Sequence, residues 1–242
     1  MFLIILNFTI KPIKGGVFMN NIFSLQKILN FFNYVFYFFV LNVVFLFFNI
    51  PLLAFIFLIG ISKIGTYLPL FLITLIPFGP SITMLLYCTG KLIRNKDLDL
   101  IPDIKLGLKL NFKQSLIIWI VELALIFILN INIKFFSNYS IILSGVFLLI
   151  SLLLLFTSPY IYVLISRFSM NTKDIIKNSF ILVFTKPLIS IANIFSIVFT
   201  LILFEISPGT TFLFMGSVLA FLISYCNKFL LTELENNSKN NN

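Results

Sequence analysis

Residues 140–163 read SIILSGVFLLISLLLLFTSPYIYV, without one charged side chain. Coiled as an α-helix they extend about 36 Å, at roughly 1.5 Å per residue. The hydrocarbon core of a bilayer is about 30 Å thick and tolerates only backbone whose hydrogen bonds are closed internally. The stretch therefore predicts a membrane-spanning helix rather than the striped helix of a soluble domain.

Five more apolar runs lie at 30–60, 67–88, 115–131, 187–204 and 211–227. The composition agrees: 60% of the 242 residues are hydrophobic and 10% charged, with a mean hydropathy of +1.11, whereas soluble domains are about one quarter charged. The expected fold is all-α, a polytopic transmembrane helical bundle of six spans. It divides into a short cytoplasmic or interfacial segment over 1–28, the transmembrane domain over 29–229 and a polar tail over 230–242. The first run would measure about 46 Å as one helix. It therefore tilts, or breaks around Pro51, where proline withholds a donor and crowds the preceding turn. Met1–Ile10 lacks a leading positive charge and a small-residue cleavage pattern, which fits an interfacial segment or a mis-assigned start better than a signal peptide.

The charges orient the spans. Of 17 Lys and Arg residues, only Lys63 and Lys134 fall on one side of a six-span layout, and the other fifteen fall on the side of both termini. Cytoplasmic flanks carry the basic excess, so both termini are expected in the cytoplasm of a multi-pass cell-membrane protein. The formal charge of +9 then points to anionic headgroups of the lipid bilayer and not to nucleic acid. Two connections on that side, 89–114 and 164–186, read as helical. Leu106 and Leu110, with Lys109 and Lys113, suit an interfacial helix, although the alternation around 103–110 also permits a short strand. Asn171 and Asp174 suit a cap opening a helix with Ile175, Ile176, Ser179 and Phe180 on one side. Asp103-Ile104-Lys105 and Asp174-Ile175-Ile176-Lys177 hint weakly at duplication, for which chance in so biased a composition is the simpler account.

Within the spans, polar groups stand out. Glu122 is the acidic residue in the body of a span; a carboxylate at the bilayer centre costs roughly 2.5–3.5 kcal/mol on insertion scales, so it is expected to face the bundle, a cavity or an interface. Structural anchoring is its plain role and a place on a solute path the sharper one. Asn42 and Asn193 are expected to bond between helices; Ser81, Thr83 and Thr89 could line a polar seam, and bonding back onto their own preceding turns is the plainer reading. Pro77-Phe78-Gly79-Pro80 interrupts the second run and predicts a kink or a discontinuous helix.

Catalysis finds little to work with. The chain has no His, no glycine-rich phosphate loop and no Ser or Cys beside a plausible base. Cys88 and Cys226 are read as reduced, small hydrophobes, and Asp97, Asp99 and Asp103 as a charge-balanced loop beside Lys96 and Lys105. Neither an enzyme nor a cofactor or metal site is expected.

The order Ile76-Pro77-Phe78-Gly79-Pro80-Ser81, then Tyr87, Lys91 and Arg94, resembles the signature of the YesL-like family of bacterial membrane proteins, a domain family of unknown function. Asn42 before Pro51, Phe112-Lys113-Gln114-Ser115, Pro159-Tyr160 with Arg167-Phe168, and Lys177-Asn178 extend the likeness across roughly 15–204. Departures are Ser81, where alanine is common, and an enlarged insert between Pro51 and Pro77. The resemblance implies an accessory or regulatory membrane protein associated with carbohydrate uptake, partnered by an ABC-type sugar transporter or a membrane signalling protein. The residues expected to matter are Pro77, Gly79, Pro80, Tyr87, Lys91, Arg94 and Glu122, with Lys91, Arg94 and the 103–114 stretch as the cytoplasmic contact surface. The alternative is a small solute transporter, acting as a homodimer, with its path near Glu122 and the Pro77–Pro80 break.

Overall fold

The computed structural model describes residues 25–240. Met1–Ile10, Lys11, Lys14 and the side chains of Lys27 and Lys239 lie outside the described residues. Eleven α-helices follow one another: α1 Leu25–Phe48, α2 Ile50–Leu58, α3 Leu68–Thr74, α4 Phe78–Asn95, α5 Leu100–Ser137, α6 Ile141–Arg167, α7 Thr172–Thr185, α8 Pro187–Ile206, α9 Pro208–Phe212, α10 Met215–Cys226 and α11 Lys228–Asn240. A single 3-10 turn covers Ile61–Lys63, and no strand occurs among the described residues. Contacts divide the chain into Met1–Val35 and Phe36–Asn242. The first unit contributes the opening turns of α1, where Phe31 and Phe32 meet edge to face. The core and the site described below lie in the second unit.

Among the described residues four helices are long and apolar enough to cross a membrane: α1 over Phe31–Phe48, α5, α6 and α8. Two bent pairs, α3 with α4 at 40° and α10 with the start of α11 at 50°, raise the number to six if each pair is one span. The chain is thus an all-α bundle with four to six candidate spans, compatible with a multi-pass membrane protein.

Polarity is distributed as lipid requires. On α8 the buried residues are Ser190, Asn193, Ser196 and Thr200, while Leu188 is 81% exposed and Ile191 and Phe195 also face outward. A soluble helix shows the reverse. In lipid, apolar side chains gain nothing by leaving the surrounding hydrocarbon, so small and polar groups take the helix contacts. The amide of Asn227 donates to Asn193 Oδ1 at 2.7 Å, and the hydroxyls of Thr89 and Ser224 lie 3.0 Å apart. Asn42 joins α1 to the α9–α10 turn, donating to the Phe212 carbonyl at 2.9 Å and accepting from the Gly216 amide at 2.8 Å.

Several expectations are sharpened. The first run breaks at Asn49, and Pro51 sits in the first turn of α2, where its missing donor costs no helical bond. Asn49 bonds back to the Phe45 carbonyl and across to Ser81 Oγ, at 2.8 and 2.9 Å. The stretch 103–110 is neither a strand nor a separate interfacial helix. It belongs to α5, whose 38 residues extend about 57 Å, well beyond the hydrocarbon thickness. Asn171 stands at the N-cap of α7 without a side-chain cap bond. The buried face of α7 is Ile175, Ser179 and Leu182, whereas Ile176 and Phe180 are exposed, a one-residue rotation from the expected stripe. Asp103 is buried and Asp174 exposed, so the two halves of the suggested repeat occupy unlike environments. The 230–242 stretch is helical through Asn240. Glu233 pairs with Lys186 at 2.8 Å, and Glu235 pairs with Arg167.

Candidate functional site

The site begins at the break between α3 and α4. Proline at 77 and 80 cannot donate in the ladder, so carbonyls ahead of the break lose helical partners. In the same turn Leu75 O accepts from the Phe78 amide at 2.9 Å and from Trp119 Nε1 on α5 at 2.7 Å. Gly79 makes room for the indole: a Cβ there would lie 2.4 Å from Trp119 Cβ and 2.6 Å from Cγ. Real side chains do not approach so closely, so the glycine is required by contact, not by backbone angle. Gly79, between Pro77 and Pro80, therefore forms a seat for Trp119.

The indole continues into a chain of aromatic and polar contacts. Phe78 lies 5.3 Å from Trp119, centroid to centroid, and Tyr162 on α6 meets Trp119 edge to face at 5.8 Å. Tyr162 Oη donates to Glu122 Oε2 at 2.6 Å, and Ser158 Oγ donates to Glu122 Oε1 at 3.0 Å. Glu122 is 4% exposed. It faces the bundle interior, and among the described residues no Lys or Arg forms a salt bridge with it. Both oxygens are held in place by hydroxyls one helical turn apart on α6, so the carboxylate is ordered without a cation.

One cavity has this carboxylate in its wall, and a second is lined by the two hydroxyl residues that hold it. One, of about 290 Å³, has Glu122 in its wall with Ile118, Leu153, Ile161 and Phe180. The other, of about 410 Å³, has Phe78, Trp119, Ser151, Ser158 and Tyr162 in its wall amid aliphatic side chains. Both walls are largely apolar. Among the described residues no cluster of three or more His, Cys, Asp or Glu residues is arranged to hold a metal ion.

The remaining predicted residues gather at the α4–α5 hairpin. Lys91 Nζ reaches both oxygens of Asp103, at 2.6 and 2.8 Å, and Asp103 Oδ2 also accepts the Asp99 amide at 2.9 Å. Tyr87 packs on Gly107, where a Cβ would lie 2.9 Å from the ring. Arg94 is exposed one turn beyond Lys91. The structure therefore separates the predicted residues into two groups: Pro77, Gly79, Pro80 and Glu122 around Trp119, and Tyr87, Lys91 and Arg94 at the hairpin. Ser81, Thr83 and Thr89 do bond back onto the preceding turn, to Phe78, Gly79 and Leu85 carbonyls, and Ser81 and Thr89 also meet Asn49 and Ser224 on other helices. Cys88 and Cys226 are both free.

Sequence reading missed Trp119, Ser158, Tyr162 and the Lys91–Asp103 pair. The available signal was rarity: Trp119 is the only tryptophan in the chain, and a lone indole near a Pro-Gly-Pro break is a candidate donor to freed carbonyls. Residues 38–133 match the model of a family described as a protein of unknown function, DUF624. That stretch holds both groups of predicted residues and Trp119, but not Ser158 or Tyr162. Comparisons with curated proteins and with solved structures each gave no match.

Proposed function

We propose that this chain is a non-enzymatic accessory or regulatory protein of the cell membrane that contacts a carbohydrate-uptake system, as the resemblance to the YesL-like family implies. One observation carries the contact role. Lys105, Lys109 and Lys113 are all exposed at four-residue spacing on the first half of α5, beside exposed Leu106 and Leu110. Arg94 adds a cation on the neighbouring helix, whereas Lys91 is held by Asp103 and fixes the hairpin. A mixed basic and apolar strip suits an acidic protein surface. The fifteen-to-two division of basic residues supports a cytoplasmic setting for this strip and for both termini. The carbohydrate association, with an ABC-type sugar transporter or a membrane signalling protein as partner, is supported by the resemblance alone.

The test is co-purification in mild detergent from cells that express the sugar transporter. The tagged wild type is expected to recover transporter subunits, and K105E/K109E/K113E to lose them at equal folded yield. Repeated purification without any transporter or signalling protein overturns the reading.

The alternative, a small solute transporter working as a homodimer, is favoured by the position of Glu122 in the wall of the cavity of about 290 Å³. It expects flux through reconstituted protein that Glu122→Gln abolishes without lowering folded yield.

A further inference from the structure

We infer that the cavity bounded by α4, α5, α6, α8 and α10 is a binding site for a lipophilic ammonium ion. The argument rests on where the polar hydrogens of its wall point. Four polar groups belong to the lining residues: the indole N–H of Trp119 and the hydroxyls of Ser151, Ser158 and Tyr162. Each is already donated elsewhere. Trp119 gives its hydrogen to Leu75 O and Ser151 to Leu148 O. Ser158 and Tyr162 give theirs to the two oxygens of Glu122.

A hydroxyl has one hydrogen and two lone pairs. With the hydrogen committed, the oxygens of Ser151, Ser158 and Tyr162 have only acceptor capacity left for an occupant. Phe78, Trp119 and Tyr162 also line the cavity, and aromatic rings attract cations, more strongly where water is excluded. Behind the two α6 hydroxyls stands the Glu122 carboxylate, without a basic partner among the described residues. Every polar element of the wall thus favours a positive, hydrogen-donating group, and the aliphatic remainder favours an apolar body. At about 410 Å³ the volume lies within the roughly 300–1,000 Å³ typical of small-molecule sites. An anion would meet hydroxyl lone pairs with the Glu122 carboxylate behind them, and a neutral hydrocarbon would leave the acceptors unused. The site is independent of the lysine strip, so loss of a cytoplasmic partner leaves it intact.

Trp119, the only tryptophan, supplies a reporter in the cavity wall. Purified protein in dodecyl maltoside is titrated with 4-phenylbutylammonium and, separately, with 4-phenylbutanol, which replaces the ammonium by a neutral hydroxyl on the same body. The ammonium is expected to change Trp119 emission saturably and to bind about tenfold or more tighter than the alcohol. Glu122→Gln, which keeps the side chain's size, removes the charge and leaves one oxygen to accept a hydroxyl, is expected to erase most of that preference. Ile197→Trp, filling the cavity from α8, is expected to abolish binding of both, followed by calorimetry because it adds a second indole. If Glu122→Gln does not fold, the wild-type preference and the Ile197→Trp result decide. Equal binding of ammonium and alcohol, no saturable binding of the ammonium, or a preference that survives Glu122→Gln in folded protein overturns the inference.

Discussion

Replacing Gly79 by alanine tests the seat on which the site is built. The added Cβ would lie 2.4 Å from Trp119 Cβ and 2.6 Å from Cγ. The indole cannot escape by rotating its far end, because the clash is at its root next to the α5 backbone. Helix α4 or α5 must shift instead, and overpacking of this kind costs about 1–3 kcal/mol. The shift also disturbs the 2.7 Å bond from Trp119 Nε1 to Leu75 O, worth about 1 kcal/mol. Alanine returns up to about 1 kcal/mol of helix propensity. The net destabilisation is about 2 kcal/mol, which for a chain of this size lowers the melting midpoint by roughly 4–8 °C. Thermal denaturation in detergent, read by Trp119 emission and by size exclusion, measures it. Gly145→Ala in α6 is the control, since a Cβ there meets nothing within 4 Å, and it is expected to leave the midpoint unchanged or raise it. A Gly79→Ala midpoint equal to wild type, or an equal fall in Gly145→Ala, refutes the reasoning.

Gly216→Ala drives a Cβ to 2.6 Å from the Phe45 ring; it is expected to destabilise by about 1–2 kcal/mol, and Phe45→Leu to restore part of the loss in a double-mutant cycle. Asp103→Asn removes the charge that holds Lys91, whose side chain is 24% exposed against 5% for Asp103, with an expected loss of about 1–2 kcal/mol in thermal denaturation. If Lys91→Met costs as much in the Asp103→Asn background as alone, the pair contributes nothing. Cysteine substitutions at Lys63 and Arg94, introduced after removal of Cys88 and Cys226, are expected to react with a membrane-impermeant maleimide in intact cells at 63 and only after lysis at 94; the opposite pattern reverses the orientation.

Much of the fold was legible because lipid imposes a severe rule. A charge-free run as long as 140–163 has one stable backbone form in hydrocarbon, and the all-α character follows from hydropathy and length. Two interruptions were legible too: Pro51 and Pro77-Phe78-Gly79-Pro80 marked them, although the first falls at Asn49, while the bend between α10 and α11 was not. A lone carboxylate in an apolar run has to turn inward, and Glu122 does. Proline, glycine and buried charge act through local backbone and solvation, which sequence carries.

Partner choice is a different kind of information. No local rule says that the indole of Trp119 closes the carbonyl of Leu75, 44 residues earlier, or that Ser158 and Tyr162, one turn apart on α6, clasp the two oxygens of Glu122. The one-residue rotation of α7 is of the same origin: Ile175 and Ile176 are equally apolar, and only the neighbouring helix decides which is buried. Sequence by itself determined that this chain folds as long apolar helices fit to cross a membrane, that the first two runs are interrupted and that Glu122 faces inward. Tertiary structure alone decided which groups meet it, because in a bilayer apolar surface is satisfied on every side of a helix, and the helix pairing is selected by scattered polar and small residues whose complements lie far along the chain.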